Sequence, residues 1–317
     1  FSSFALALVS AAILSRYFDK AEYGTYKQIL YVYATLQTVF AAGLPSVFTY
    51  FIPRLSDGQG KKLVNGVNRL FVILGLAFSV FLYLSSDLIA GILKNPELSV
   101  GLKIFSPFPL FTIPSLGVEG IYTALRKTKY IAIYQTANRL LMLLCIVLPV
   151  VVFKGTYRSA IIGWGFASFL TFIFAMVMKR RPYVKVKEEL VPNMHKTIFN
   201  YSLPLVGASL VGMVLHSADQ FFISRYYGQI VFADFSNGYI QIPFIGMIAG
   251  SVSSVLLPIF SKAESEGKLN MAFGTYERAT LKTINLIYPL IFFCIFFDFT
   301  PNSPVVKDKI CNFTHVI

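Results

Sequence analysis

Charged residues are scarce in this chain, since Asp, Glu, Lys and Arg together make up 14% of its 317 residues. Soluble domains carry about 25%, so a soluble enzyme with a polar shell is excluded. Histidine and cysteine number three each and are too scattered for a zinc site or a disulfide framework. The motifs G-x-S-x-G and H-E-x-x-H and a phosphate-cradling glycine loop are also missing. We therefore expect no enzyme, no metal and no cofactor.

Apolar residues are abundant instead, at 56% of the chain, and the mean hydropathy is +0.65. A protein of this size cannot hide so much apolar surface in its own core, so lipid is the expected solvent. The net charge of +13 first suggests a nucleic-acid partner. The basic residues, however, form short clusters between apolar runs, which is typical of membrane proteins. Membrane lipids are therefore expected partners, and nucleic acid is not.

The apolar runs predict transmembrane helices, because a bilayer core about 30 Å thick requires roughly 20 apolar residues per helix. Runs such as LLMLLCIVLPVVVF, residues 140–153, do not alternate as barrel strands do. The predicted fold class is all-α, a polytopic membrane protein with about nine spans. Spans 1 to 9 are residues 1–16, 26–53, 67–93, 103–125, 131–153, 159–178, 202–226, 230–260 and 279–297.

The cations between the spans predict the orientation. About twice as many Lys and Arg residues follow the even-numbered spans as follow the odd-numbered ones. The positive-inside rule then places the even-numbered loops, and the N-terminal end, in the cytoplasm. Residues 179–196 supply the largest group of cations, and Lys179 is expected to be one of these loop cations. This basic loop would attract anionic lipid headgroups.

A weak internal repeat relates the two ends of the chain. ILSRYF (13–18) recurs as FISRYY (222–227), 209 residues later, and PSVFTYFIPRLSDGQGKK (45–62) resembles SSVLLPIFSKAESEGK (253–268) at nearly the same offset. The repeat matches spans 1, 2 and 3 with spans 7, 8 and 9. Because six spans separate equivalent points, the two copies are expected to be parallel.

The repeat predicts the domain organisation. A first six-helix lobe, whose first helix is incomplete, occupies residues 1–180, and a cytoplasmic linker occupies residues 181–201. The first three helices of a second lobe follow at residues 202–297, and an atypical polar tail at residues 298–317. We expect the chain to be a fragment, or a member with a disrupted C-terminus, of a transporter with twelve or more spans.

Four segments resemble polysaccharide flippases of the multidrug/oligosaccharidyl-lipid/polysaccharide exporter superfamily. They are SRYFDKAEYGTY (15–26), GIYTALRKTKYIAIYQTANRLLMLL (120–144), HSADQFFISRYYG (216–228) and LLPIFSKAESEGK (256–268). The resemblance implies two six-helix lobes that form a V around a central cavity. It implies that O-antigen-type members move undecaprenyl-pyrophosphate-linked oligosaccharides across the inner cell membrane for lipopolysaccharide synthesis. The resemblance also allows other polysaccharide-assembly membrane proteins as partners.

Ionisable residues inside predicted spans are candidate functional residues, because charges are costly in the membrane. Arg139 lies nine residues after Tyr130, or about 13 Å deep, and Glu119 lies about 10 Å deep on the preceding span. The guanidinium can make paired hydrogen bonds to a pyrophosphate. The alternative is a structural ion pair between Arg139 and Glu119. Asn138 points about 100° away from Arg139 on a helix, so it need not share its site.

Three further positions carry hypotheses. Asp219 and His216 lie one turn apart on span 7 and predict either a proton or sodium coupling site or a polar pair in a wet cleft. Asp219 matches Ser10 in the repeat, so the acid is found in one copy. Arg16 and Arg225 are repeat-related and lie at the outer ends of spans 1 and 7. They either extend to the outer headgroups or form a cationic mouth of the substrate cavity.

The leading functional hypothesis is a flippase for a lipid-linked oligosaccharide that works by alternating access between two lobes. A cation-coupled multidrug exporter of the same superfamily and an inactive remnant are the alternatives. The sequence does not specify the glycan, the coupling ion or the oligomeric state.

Overall fold

The computed structural model describes residues 13–41, 43–153, 155–189, 194–238, 252 and 269–298. The chain forms two compact units, residues 1–239 and residues 240–317. Ten α-helices, numbered in chain order, are α1 Lys20–Ala41, α2 Leu44–Phe51, α3 Asp57–Ile92, α4 Pro96–Phe105, α5 Pro109–Ser115, α6 Val118–Ala124, α7 Thr128–Phe153, α8 Tyr157–Arg180, α9 Met194–Gly238 and α10 Leu269–Asp298. Residues 13–17 are also helical, and the described residues include no strand. The predicted all-α class is confirmed.

Hydropathy predicted the membrane-crossing helices well. Helices α3, α7, α8 and α9 are each long and apolar enough to cross a membrane, and two bent helix pairs raise the number of candidate spans to six among the described residues. These six correspond to predicted spans 2 to 7, and α10 covers span 9. Most of spans 1 and 8, and the tail after residue 298, lie outside the described residues.

Two of the spans are broken at proline and glycine. Span 4 consists of α4, α5 and α6 and bends by 57° between α4 and α5. Pro109 opens α5, Pro114 lies inside it, and Gly117 precedes α6 with a φ of 89°. Proline removes a backbone donor, so the break leaves backbone carbonyls of α5 without their helical partners. In span 2 the axes of α1 and α2 differ by 46°, and Gly43 precedes α2 with a φ of 71°.

Helix α3 extends well beyond its apolar run. It begins at Asp57, ten residues before predicted span 3, at a capping box in which the Ser56 hydroxyl accepts from the backbone N–H of Gln59. The Gln59 side chain accepts in return from the backbone N–H of Ser56 at 3.3 Å. Such a box satisfies two of the donors that a helix start leaves open. The first turns of α3 therefore reach past the apolar layer.

The loops separate to two faces, as the predicted topology requires. The segments after spans 2 and 6 meet on one side, which we call the basic face, where Lys61 Nζ donates to the Val186 carbonyl at 2.7 Å. The segments after spans 3 and 5 meet on the opposite side, where Arg158 lies 3.4 Å from Glu97. Consecutive helices therefore cross the apolar layer in alternating directions.

An aromatic core holds the first unit together on the side away from the basic face. The Tyr33 ring of α1 stacks on Phe78 of α3, and Trp164 of α8 packs 4.7 Å from the Phe105 ring centroid. Aromatic pairs of this geometry stabilise a core beyond their area burial. The Tyr33 hydroxyl donates to Thr112 at 2.7 Å, so α5 is tied to the same cluster.

Helix α9 packs antiparallel along α1 through polar pairs. On α1, Tyr23 donates to Asn237 of α9 at 2.7 Å and Gln28 donates to Ser224 at 2.8 Å. Tyr31 donates to the Ser217 carbonyl at 3.2 Å. We call these three pairs the α1–α9 seam. The repeat assigns α9 to the second lobe, but its contacts place it in the first compact unit. Gly228, with a φ of 76°, interrupts α9 after predicted span 7.

Candidate functional site

A cavity of about 400 Å³ lies where α1, the break between α5 and α6, α7 and α8 meet. The lining contains the hydroxyls of Tyr33, Thr112 and Tyr134 and the ring of Trp164. Volumes of this order are typical of small-ligand sites. We call this space the Arg139 cavity, because Arg139 is the cation in its lining.

Glu119 and Arg139 both line this cavity, so the depth argument correctly predicted that they would lie near one another. Glu119 is in the first turn of α6, directly after the break at Gly117. Both side chains are exposed. Among the ion pairs of the described residues, however, none joins them, and neither makes a hydrogen bond there. The structural ion pair that the sequence allowed is not formed.

Asn138 also lines the Arg139 cavity, a placement that its angular position on the helix left open. The cavity is wide enough to expose two adjacent faces of α7. The Asn138 side-chain oxygen accepts from the Thr171 hydroxyl of α8 at 2.7 Å. This bond fixes the amide, so the Asn138 N–H₂ group points away from Thr171 and keeps its two donors. Asn138 is next to Arg139 in sequence.

The cavity combines charged groups of both signs with neutral polar groups. Among the described residues, its lining includes one cation, Arg139, and one carboxylate, Glu119, together with hydroxyls and amides. An unpaired guanidinium offers a planar fork of donors that matches two phosphate oxygens. A carboxylate accepts hydrogen bonds from sugar hydroxyls. Among the described residues, no group of three His, Cys, Asp or Glu side chains is arranged to hold a metal ion.

Asp219 and His216 do not line the Arg139 cavity. Both are exposed on α9, one turn apart. The Asp219 carboxylate accepts from the backbone N–H of Gln220 at 2.7 Å, and Tyr31 on α1 lies within its electrostatic range. The predicted coupling residues therefore border the α1–α9 seam and not the Arg139 cavity.

Arg16 and Arg225 are likewise separate from the Arg139 cavity. Both are exposed. The Arg225 guanidinium donates to the backbone carbonyl of Ile92, at the end of α3 opposite the basic face. The structure thus brings together two of the six predicted site residues, Arg139 and Glu119, and leaves the other four elsewhere.

Lys179 is the residue that the sequence reasoning placed wrongly. It was expected in a cytoplasmic loop, but it lies in the last turn of α8 with 0% of its surface exposed. Its ammonium group donates to the Pro114 carbonyl at 2.7 Å and to the Asn68 side-chain oxygen at 2.9 Å. The rings of Phe71 and Phe48 lie 5.1 and 5.7 Å from Nζ.

The physical reason for this burial is the broken span 4. Pro114 lies inside α5, and this helix ends at Ser115. The Pro114 carbonyl therefore lacks a backbone partner. Lys179 supplies the missing donor from 65 residues away in sequence. One sequence signal was available: Lys179 lies on the same helical face as Thr171 and Ala175, both small and both buried, which marks that face as packed.

Comparison with known proteins gives one match. A family model described as polysaccharide biosynthesis protein matches residues 1–264. No curated protein and no solved structure matches the chain.

Proposed function

From the premise that this chain belongs to the polysaccharide biosynthesis protein family, we propose that it is a flippase for a lipid-linked oligosaccharide. The polyprenyl-pyrophosphate head and its sugars would cross from the cytoplasmic to the outer face of the inner membrane. The observation that carries this proposal is the unpaired Arg139 guanidinium in a polar cavity of a helical membrane protein.

Charge matching supports a pyrophosphate as the group that Arg139 binds. Moving even one uncompensated polar group into hydrocarbon costs several kcal/mol, and a charge costs far more. A guanidinium in a wet cavity offsets that loss by charge-assisted hydrogen bonds. The polyprenyl chain itself needs no such help, since it remains in the bilayer while the head moves.

The polar lining supports a sugar as the neighbouring group. Glu119 and the Asn138 amide can exchange hydrogen bonds with sugar hydroxyls, and Trp164 and Tyr33 offer aromatic faces in the same cavity. Without an ion pair to Arg139, the Glu119 carboxylate is available to the ligand. Arg16 and Arg225 would attract the anionic head at the outer end of the path.

The transport cycle in this proposal is alternating access between two lobes. Asp219 and His216 would couple it to protons or sodium ions, since an imidazole and a carboxylate can exchange protons near neutral pH. The basic face, where Lys61 meets Val186, would be cytoplasmic, as the positive-inside rule predicts. The alternation of the loops between two faces is common to both orientations, and the excess of cations on the basic face selects this one.

A cation-coupled multidrug exporter is the second candidate function. The observation that favours it is the presence of Glu119 beside Trp164, Tyr33 and Tyr134 in the Arg139 cavity. An acidic, aromatic site is suited to organic cations. Under this alternative Arg139 would repel the ligand, whereas under the flippase proposal it binds it.

The test is reconstitution of the full-length protein in proteoliposomes that contain a lipid-linked oligosaccharide. Flipping is measured as the fraction of sugar that an impermeant reagent reaches. Arg139→Ala should reduce the rate at least about tenfold, the loss of one strong charge-assisted contact, and Arg139→Lys should retain part of it. Lys127→Ala, which removes an exposed cation outside the cavity, is the matched control.

Two outcomes contradict the proposal. An unchanged rate in a well-folded Arg139→Ala variant would reject the role of this residue. Export of an organic cation that increases on Arg139→Ala and ceases on Glu119→Gln, with no flipping of the lipid-linked sugar, would instead identify a drug exporter.

A further inference from the structure

A second and larger space lies on another side of the first unit, between α3 and α8. This groove has a volume of about 920 Å³ and begins at the basic face. We call it the α3–α8 groove. It shares no lining residue with the Arg139 cavity. Its lining residues are Lys61, Val64, Asn65, Asn68, Arg69, Val72, Ile73, Phe172, Met176, Lys179, Arg180, Tyr183 and Val184.

The groove has a cationic end and an apolar end. Arg69 on α3 and Arg180 on α8 lie on its two walls, near the basic face. Ile73 follows Arg69 by about 6 Å along α3, and Phe172 precedes Arg180 by about 12 Å along α8, at 1.5 Å per residue. Because the two helices are antiparallel, both apolar residues are displaced in the same direction, toward the membrane interior.

The cationic end holds donors without acceptors. Neither Arg69 nor Arg180 makes a hydrogen bond or ion pair with another described residue. The Tyr183 hydroxyl is buried and has no hydrogen-bond partner among them either. The Asn68 oxygen accepts from Lys179, which leaves the Asn68 N–H₂ group to donate. The Tyr183 hydroxyl packs against Gly60 and is closed to the groove, so the donors open to a ligand are those of Arg69, Arg180 and Asn68.

Carboxylates do not fill that position. Among the described residues, the lining of the groove contains four cations and no Asp or Glu. Two acids border the lining, since Glu188 accepts from Asn65 and Asp57 lies within electrostatic range of Tyr183. Two guanidiniums on facing walls thus concentrate positive charge where an anion can enter between them.

The apolar end is continuous with the surface that faces lipid. Ile73 is 63% exposed and Val177, beside the groove on α8, is 60% exposed. Neither side chain would be left in water in a protein with this many apolar spans. A ligand of the groove is therefore an anion at one end and a hydrocarbon at the other.

We infer that the α3–α8 groove is a binding site for an acidic phospholipid of the leaflet next to the basic face. Its phosphate lies between Arg69 and Arg180 and accepts from Asn68, and an acyl chain runs along Ile73. Basic pockets between transmembrane helices are suited to such headgroups. Phosphate oxygens supply the acceptors that these donors lack, and a bilayer lipid supplies the chain.

The proposed lipid does not have to be the transported molecule, and the inference does not depend on the flippase proposal. Binding is measured directly, whereas flipping is measured as transfer. A protein that flips nothing can still retain phospholipid in the groove, and loss of groove binding leaves the Arg139 cavity intact.

The experiment is native mass spectrometry of the purified full-length protein titrated in detergent with phosphatidylglycerol or phosphatidylcholine. The Arg69→Gln/Arg180→Gln double variant removes both guanidiniums. The matched control is Lys127→Gln/Lys129→Gln, which removes the same charge from the loop before α7 and from the first turn of α7, outside the groove. Thermal unfolding of both variants in lipid-free detergent checks that they are folded.

We expect phosphatidylglycerol to bind the wild-type protein more tightly than phosphatidylcholine does. The Arg69/Arg180 variant should lose at least about tenfold in affinity for phosphatidylglycerol, as expected for two charge-assisted contacts. The control should lose no more than about twofold, since removing cations outside the groove leaves only a screened surface effect.

Four results would overturn the inference. The Arg69/Arg180 variant could bind phosphatidylglycerol as the wild type does, or the control could lose as much as that variant. Glycerol 1-phosphate could compete as well as the lipid, which would indicate a site for free phosphate. Undecaprenyl pyrophosphate could bind through the same two arginines when phosphatidylglycerol does not, which would assign the groove to a polyprenyl lipid.

Discussion

Two cations inside the first unit, Lys179 and Arg139, differ in almost every physical respect. Lys179 is completely buried and donates to Pro114 and Asn68. Arg139 is exposed in a cavity and has no partner among the described residues. Both lie on helices that cross the apolar layer.

The difference separates a structural cation from a candidate ligand-binding one. The ammonium of Lys179 replaces a backbone donor that the break in span 4 removed, so its energetic role is in folding. Arg139 has no comparable partner among the described residues, so its guanidinium is open to water or to a ligand. Depth in the membrane alone therefore does not identify a functional charge; the partner does.

The largest effect that would sharpen this comparison is expected for Lys179→Ala. The substitution opens a cavity beside Phe48 and Phe71 and leaves the Pro114 carbonyl without a donor, which together should destabilise the protein by about 3 kcal/mol or more. Lys179→Met restores the packing and leaves the carbonyl unpaired, so about 1–2 kcal/mol is expected. Unfolding of the full-length protein by SDS in mixed micelles measures both. Equal stability of the two variants and the wild type would contradict the structural role.

A smaller effect is expected for Gly117→Ala at the same break. Gly117 has a φ of 89°, which an L-residue adopts at a loss of roughly 1–2 kcal/mol, and an added Cβ would lie 2.2 Å from the Phe48 ring. We expect about 2 kcal/mol of destabilisation by the same SDS measurement. Gly66→Ala is the control, because no atom lies within 4 Å of its added Cβ. A neutral Gly117→Ala would show that the break tolerates an ordinary residue.

The smallest effect is expected for the Arg139–Glu119 cycle. Since the two side chains form no ion pair, Arg139→Gln and Glu119→Gln should each change stability by no more than about 0.5 kcal/mol. Their coupling in the double variant should lie within the same limit. Unfolding of the four proteins in parallel gives the coupling term. A coupling above about 1 kcal/mol would mean that the pair stabilises the fold, and it would remove the contrast with Lys179.

Hydropathy was sufficient to predict the described spans, since spans 2 to 7 follow from apolar length. The breaks at Gly43, Pro114 and Gly117 coincide with residue types that a helix interior does not accommodate. The proximity of Glu119 and Arg139 followed from equal depth on antiparallel helices joined by a short turn. These features depend on local composition or on nearest neighbours in sequence.

Lys179, Asn138 and the α3–α8 groove could not be predicted in the same way. A lysine at the end of an apolar run usually lies at the membrane surface, and the carbonyl that binds Lys179 is 65 residues away. Whether Asn138 lines the Arg139 cavity depends on the width of that cavity, which tertiary packing decides. The groove requires the register of α3 against α8, two helices that are not consecutive in the chain.

The α1–α9 seam sets the condition under which α9 could separate from α1. Any such separation must open the Gln28–Ser224 and Tyr23–Asn237 hydrogen bonds. Water can take over the separated donors and acceptors, whereas a seam of leucines would expose hydrocarbon each time. Reversible opening is therefore compatible with the side chains that form it.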